Sequence, residues 1–130
     1  MLQKALLFSD LEMARNILEV TSTDKKAMAS VKALGRQVKN FDDVVWKKHR
    51  EQIVLEGTLL KFRQNEELKE KLLGTGEKTI VEASPRDRIW GIGFGEKNAL
   101  ACYNKWGANL LGKALMKARK WLREEAAGGP

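Results

Sequence analysis

A single cysteine, Cys102, leaves this chain with no internal disulfide to form, which suits a reducing compartment. A single histidine, His49, cannot build a metal centre without other strong ligands, and none is spaced around it. We read it as the boundary residue of a helix rather than as a catalytic base. No apolar run approaches the roughly 20 residues that a membrane span requires. The short patch Ala5-Leu6-Leu7-Phe8 is interrupted at Ser9-Asp10 and is neither a signal nor a transit peptide. Internal repeats and low-complexity segments are also missing.

What is present belongs to a globular protein. Over 130 residues, 43% are apolar and 32% are charged, enough for one domain with a core. We place that domain at residues 1–125, followed by a disordered tail at 126–130. The net charge of +7 favours anionic partners: phosphorylated small molecules, nucleotides or nucleic acid. Lys and Arg are scattered along the chain, however, and a scattered pattern is also what a solvated basic surface gives. A cytoplasmic or nuclear location is expected.

Helical signals dominate the chain. The first, from Met1 to Phe8, starts without a cap. Ser9-Asp10-Leu11-Glu12 reads as a capping box with Ser9 as the cap, opening a helix with Leu11, Ala14, Ile17 and Leu18 on one side. Asp24 caps another, carrying Ala27, Met28, Val31 and Leu34, which Gly35 ends. Asn40-Phe41-Asp42 opens a long helix with Trp46, Ile53 and Leu60, with a kink at Gly57. Asn65 caps a shorter one ending at Gly74. A short helix is read over 98–106. The last helix runs from about Ala108 to Glu125, with Leu111, Leu115, Ala118 and Leu122 as its apolar stripe. Lys113, Lys117 and Lys120 form a basic stripe beside it.

The exception to this pattern is Thr79 to Gly93. Thr79-Ile80-Val81 has strand composition, and Glu82 stands at its end. Ser84-Pro85 then breaks regular structure. Asp87, Arg88 and Trp90 follow, with Gly91 and Gly93 next to the indole. Two acids, two arginines and an indole on a Pro/Gly-rich connection suit a binding loop. They equally suit a surface loop with a core tryptophan. The Gly-rich turn Gly74-Thr75-Gly76 precedes this stretch rather than following a strand, so it is not a phosphate-binding loop.

An ordered series of short motifs goes further. It comprises Gln3-Lys4-Ala5, Gly35-Arg36, Trp46, Lys61-Phe62, L-L-G-T-G from Leu72, V-E-A-S-P-R-D-R-I-W-G-I-G from Val81, and W-G-A-N-L-L-G-K-A-L-M-K-A-R from Trp106. The series resembles the NADAR family, the YbiA-like N-glycosidases, over nearly the whole chain. That resemblance implies a single compact α+β domain, mainly helical with a small sheet. It implies hydrolysis of an N-glycosidic bond to a phosphorylated ribose, with no cofactor and no metal. The substrate would be a ribosylamino-pyrimidine phosphate of riboflavin synthesis or, in the other branch, ADP-ribose carried on guanine in DNA.

Such a reaction builds oxocarbenium character on the anomeric carbon, which carboxylates can stabilise. An amine of lowered pKa can instead capture the opened sugar. By resemblance, Lys4 matches the lysine of the family's Q-x-K motif and is the expected nucleophile, with Glu82 and Asp87 as catalytic carboxylates contacting ribose or water. Trp90 and Gly91 would contact substrate, the indole stacking on the base or else filling the core. Arg36 and Arg119 are candidates for phosphate, or for bridging helix ends. Asn109 orients the site or caps the last helix.

Family members carry a further segment ahead of the matching lysine, including strands and an acidic residue. The resemblance therefore implies that the N-terminal strands are missing here, which would leave the chain poorly stable and impaired. It also leaves a third reading open, a non-catalytic protein that binds ADP-ribose or nucleotides.

Overall fold

Asp24 behaves as its position in the sequence predicts: Oδ1 accepts the Ala27 amide at 2.7 Å, capping the helix that follows. In the computed structural model, which describes residues 1–128, that helix is α3 (Lys25–Arg36). The others are α1 (Leu2–Leu7), α2 (Leu11–Leu18), α4 (Asp43–Arg63), α5 (Glu66–Gly74) and α6 (Leu110–Ala127). Two short 3₁₀ turns, Glu96–Asn98 and Tyr103–Lys105, stand where the helix at 98–106 is expected. Gly129 and Pro130, part of the expected tail, lie outside the described residues, while Ala126 and Ala127 extend α6.

Several helix ends differ from the sequence reading. The cap of α2 is Asp10, not Ser9: Ser9 sits at φ 57°, and Asp10 Oδ1 accepts the Met13 amide at 3.1 Å. The same carboxylate accepts the Lys39 amide at 2.7 Å through Oδ2, so one buried side chain starts a helix and ties down the chain 29 residues on. Gly35 lies inside α3 rather than beyond it, buried beside Met1. Asp42 opens α4 as expected, accepting the Val44 amide at 2.9 Å, and the helix continues through Gly57. Asn65 makes no side-chain cap to α5. It donates backwards to the Lys61 carbonyl at 2.7 Å, closing the end of α4.

The chain packs as two compact units, the first Met1–Arg50 and the second from Glu51 onward. In the first, α1, α2 and α3 contact one another around Ala5, Phe8, Ala14, Ile17 and Val38. Leu11 and Leu18, expected in the stripe of α2, are 69% and 63% exposed, and Met13 packs against the core instead. The second unit buries Leu59, Leu72, Ala118 and Leu122, with α5 packed on α6. Here three members of the predicted stripe of α6, Leu115, Ala118 and Leu122, face the core.

The expected α+β architecture is not what forms. Among the described residues there is no strand and no sheet; the fold is helical with one long irregular segment between α5 and α6. The composition of Thr79-Ile80-Val81 is that of a strand, but a strand requires a neighbouring backbone to complete its ladder. Here a side chain takes that place. The Asn109 carboxamide donates through Nδ2 to the Ile80 carbonyl and accepts the Glu82 amide on Oδ1, both at 3.0 Å. One primary amide thus presents the donor and acceptor of a peptide group to the Ile80 carbonyl and the Glu82 amide.

The rest of the segment is fastened to the start of α6. The amides of Gly107, Ala108, Asn109, Leu110 and Leu111 donate to the carbonyls of Ile92, Arg88, Gly91, Ile89 and Trp90, at 2.8 to 3.1 Å. The first amides of a helix have no intrahelical acceptor. In α6 the loop supplies them, which is why Asn109 makes no side-chain cap. The two motifs around Trp90 and Asn109 are therefore one structural unit, although 19 positions apart in the sequence.

Candidate functional site

In the first unit, Lys4 projects from α1 toward two aromatic rings. Its Nζ lies 4.9 Å from the centroid of Phe41 and 5.4 Å from that of Trp46. Phe41 and Trp46 flank the start of α4, so a turn and a helix entry present both rings to one amine. Partial burial pushes the Lys4 amine below its ordinary pKa of 10.5, and the nearby Arg36 guanidinium adds to the shift by charge repulsion. Arg36 is exposed at the last turn of α3. The Arg36 guanidinium keeps its charge beside that amine and can fork onto an anion bound there. This unit thus brings together Lys4 and Arg36 among the expected residues, and adds Phe41, which the sequence reading used only to mark a helix start.

The second unit carries Glu82, Asp87, Trp90, Gly91, Asn109 and Arg119. Glu82 is held at its backbone: its amide goes to Asn109, and its carbonyl accepts the Ser84 amide at 2.9 Å and the Ile92 amide at 3.0 Å. Its half-buried side chain packs where a Cβ on Gly91 would fall. That same Cβ would also stand 2.8 Å from the Glu82 and Asp87 carbonyls, so Gly91 is a point of close backbone approach. Asp87 Oδ1 accepts the amides of Ile89 (3.0 Å) and Trp90 (2.8 Å), shaping the turn that sets the indole. Trp90 is half-buried. Asn109, buried at φ 52°, is the link that holds Glu82 in place.

Arg119 is buried. Its Nη1 donates to Thr75 Oγ1 at 2.9 Å and to the Lys78 carbonyl at 2.7 Å. One turn on, Arg123 Nη2 donates to the Gly76 carbonyl at 2.8 Å, and the same side chain pairs with Glu77. The two arginines grip the turn leading into the irregular segment, and the sequence reading missed Arg123. Its signal was available: two arginines four apart share a helix face. They also line a cavity of about 410 Å³ with Lys120, Glu77, Glu124 and Met116. Another cavity, of about 460 Å³, is lined by Leu55, Leu59, Leu60, Arg63 and Trp121 among others, and holds none of the expected residues.

Among the described residues no group of three or more His, Cys, Asp or Glu is placed to hold a metal ion. No helix there is long and apolar enough to cross a membrane.

Comparison with known proteins adds the following. Residues 1–123 match the NADAR domain family. An N-glycosidase of Acanthamoeba polyphaga mimivirus is 51% identical over 122 residues, covering 92% of this chain and 69% of the viral protein. The protein irg-1 of Caenorhabditis elegans is 36% identical, over 96% of this chain and 59% of its own length. An N-glycosidase of Nostoc punctiforme is 35% identical, over 82% and 60% respectively. The chain thus spans about three fifths of the worm and cyanobacterial relatives.

Proposed function

The chain belongs to the NADAR domain family, and from that premise we propose that it is an N-glycosidase acting on a phosphorylated N-riboside, a ribosylamino-pyrimidine phosphate. The observation that carries the reading is Lys4, an amine of lowered pKa between two aromatic rings and an arginine. A lysine serves as a nucleophile only as the free amine, and desolvation with a neighbouring cation shifts the balance toward that form.

The steps follow from that amine. An N-riboside opens to an imine between C1 and the base nitrogen. The neutral Lys4 nitrogen adds to C1, and its two protons pass in turn to the base nitrogen, the second as the base departs as a neutral amine. The C1–base bond then breaks, leaving the sugar as a Lys4 imine. Water adds to that imine and collapse of the adduct releases the sugar aldehyde, restoring the amine. No oxidant or reductant enters. Arg36 is the proposed phosphate ligand, since its guanidinium forks onto phosphate oxygens. For Glu82 and Asp87, contact with ribose or water rests on motif resemblance alone. The bonds of Asn109, Gly91 and Arg119 support a loop-holding role for them beside any contact with substrate.

Borohydride tests the central step. Reduction during turnover of a ribosylamino-pyrimidine phosphate should fix one sugar phosphate on Lys4, and Lys4→Ala should lose both the adduct and the turnover. Turnover without any trapped adduct, or undiminished in Lys4→Ala, would sink the reading.

A further inference from the structure

Phe41 is an aromatic residue that the core does not need. It is 45% exposed and sits beside the one amine the chemistry above requires. Its ring is nevertheless fixed. Phe8 leans on it with centroids 5.3 Å apart and planes at 59°. The residue before it, Asn40, is in the left-handed region at φ 61°, and the residue after it, Asp42, caps α4. The backbone on either side of the exposed ring is thus set, and Phe8 backs the ring itself.

We infer that Phe41 is the platform for the leaving base, and so a determinant of specificity for N-ribosides of aromatic bases over those of simple amines. This rests on the reading of Lys4 as the nucleophile. The carbon that Lys4 attacks is bonded directly to the base nitrogen, so the base must lie within one bond of the point the amine reaches. The Phe41 ring, with its centroid 4.9 Å from Nζ, is the half-open aromatic surface at that point. Trp46, at 5.4 Å and half-buried against the core, serves as the floor beneath the amine. Stacking tolerates many bases, because every base has a π face, and it discriminates against a leaving group that has none.

The full chain would be titrated by calorimetry with a free diaminopyrimidine and, separately, with ribose 5-phosphate. Phe41→Leu should weaken binding of the pyrimidine on the order of tenfold, leave ribose 5-phosphate unchanged, and be restored by Phe41→Trp. Phe41→Met serves if the leucine variant melts early. Equal binding of the pyrimidine by wild type and Phe41→Leu would overturn the proposal. So would a parallel loss of both ligands, or a wild type that binds no pyrimidine. Lys4→Ala keeps the two readings apart. If it turns substrate over normally while Phe41→Leu still loses the pyrimidine, the lysine reading falls and the platform stands.

Discussion

Asn109 supplies both halves of a peptide's hydrogen bonding from a side chain, to residues 27 and 29 positions away. Replacing it by alanine would leave the Ile80 carbonyl and the Glu82 amide without partners. A fully buried unpaired polar group costs about 1–3 kcal/mol, and these two bonds are half-buried, so Asn109→Ala should lose roughly 1–3 kcal/mol in urea unfolding. Asn109→Asp should fare little better, because a carboxylate keeps the acceptor but sets a negative oxygen against the Ile80 carbonyl. An aspartate variant as stable as wild type would mean the Nδ2 bond contributes nothing. Residue-scale facts of this kind were only partly legible. The sequence showed an asparagine before a helix, where capping is the ordinary expectation. Its actual partners lie far back along the chain, beyond any local pattern. Lys4 is a similar case: spacing showed only a helix lysine, and its role as a candidate nucleophile came from motif resemblance.

At the scale of elements, two buried helical glycines that look alike in sequence should behave oppositely. A Cβ on Gly35 would meet the Sδ and Cγ of Met1, the end of a flexible side chain that can turn aside. Alanine also gains about 1 kcal/mol of helix propensity over glycine. Gly35→Ala should therefore be neutral or stabilising. A Cβ on Gly112 would instead fall on the Ile80 carbonyl and the Asn109 carboxamide, neither of which can move without breaking the bonds just described. Gly112→Ala should cost about 1–3 kcal/mol, the usual penalty of overpacking. Equal melting shifts for the two variants would show that the close approach at α6 is not what holds the segment. Helices were the legible elements, since a 3.6-residue period reveals that a helix forms, although in α2 it named Leu11 and Leu18, which lie exposed. Residues 79–81 were misread because β-branched composition reports a preference for extended backbone and says nothing of what pairs with it.

For the whole molecule, composition fixed little beyond a basic globular chain, and the closing of each unit on itself depends on bonds that composition cannot show. Asp10 makes the clearest of these in the first unit. The amides of Lys39 and Met13 stabilise its ionised form and hold its pKa below the ordinary carboxylate value. A carboxylate depressed in this way contributes stability above its unfolded pKa of about 3.9, and that contribution fades as pH falls through the depressed folded value. Asp10→Asn keeps one acceptor oxygen for a single amide and cannot titrate. It should be less stable than wild type at neutral pH, and the gap should narrow as the medium is acidified through the wild-type pKa. Asp24 and Glu125 also have lowered pKa values, but both variants carry them, so their acid response cancels in the comparison. Chemical denaturation midpoints of the pair, followed from neutral pH downward, make the measurement. A gap that stays constant with pH would mean that the link between Asp10 and Lys39 does not depend on charge, and that shape alone closes the first unit.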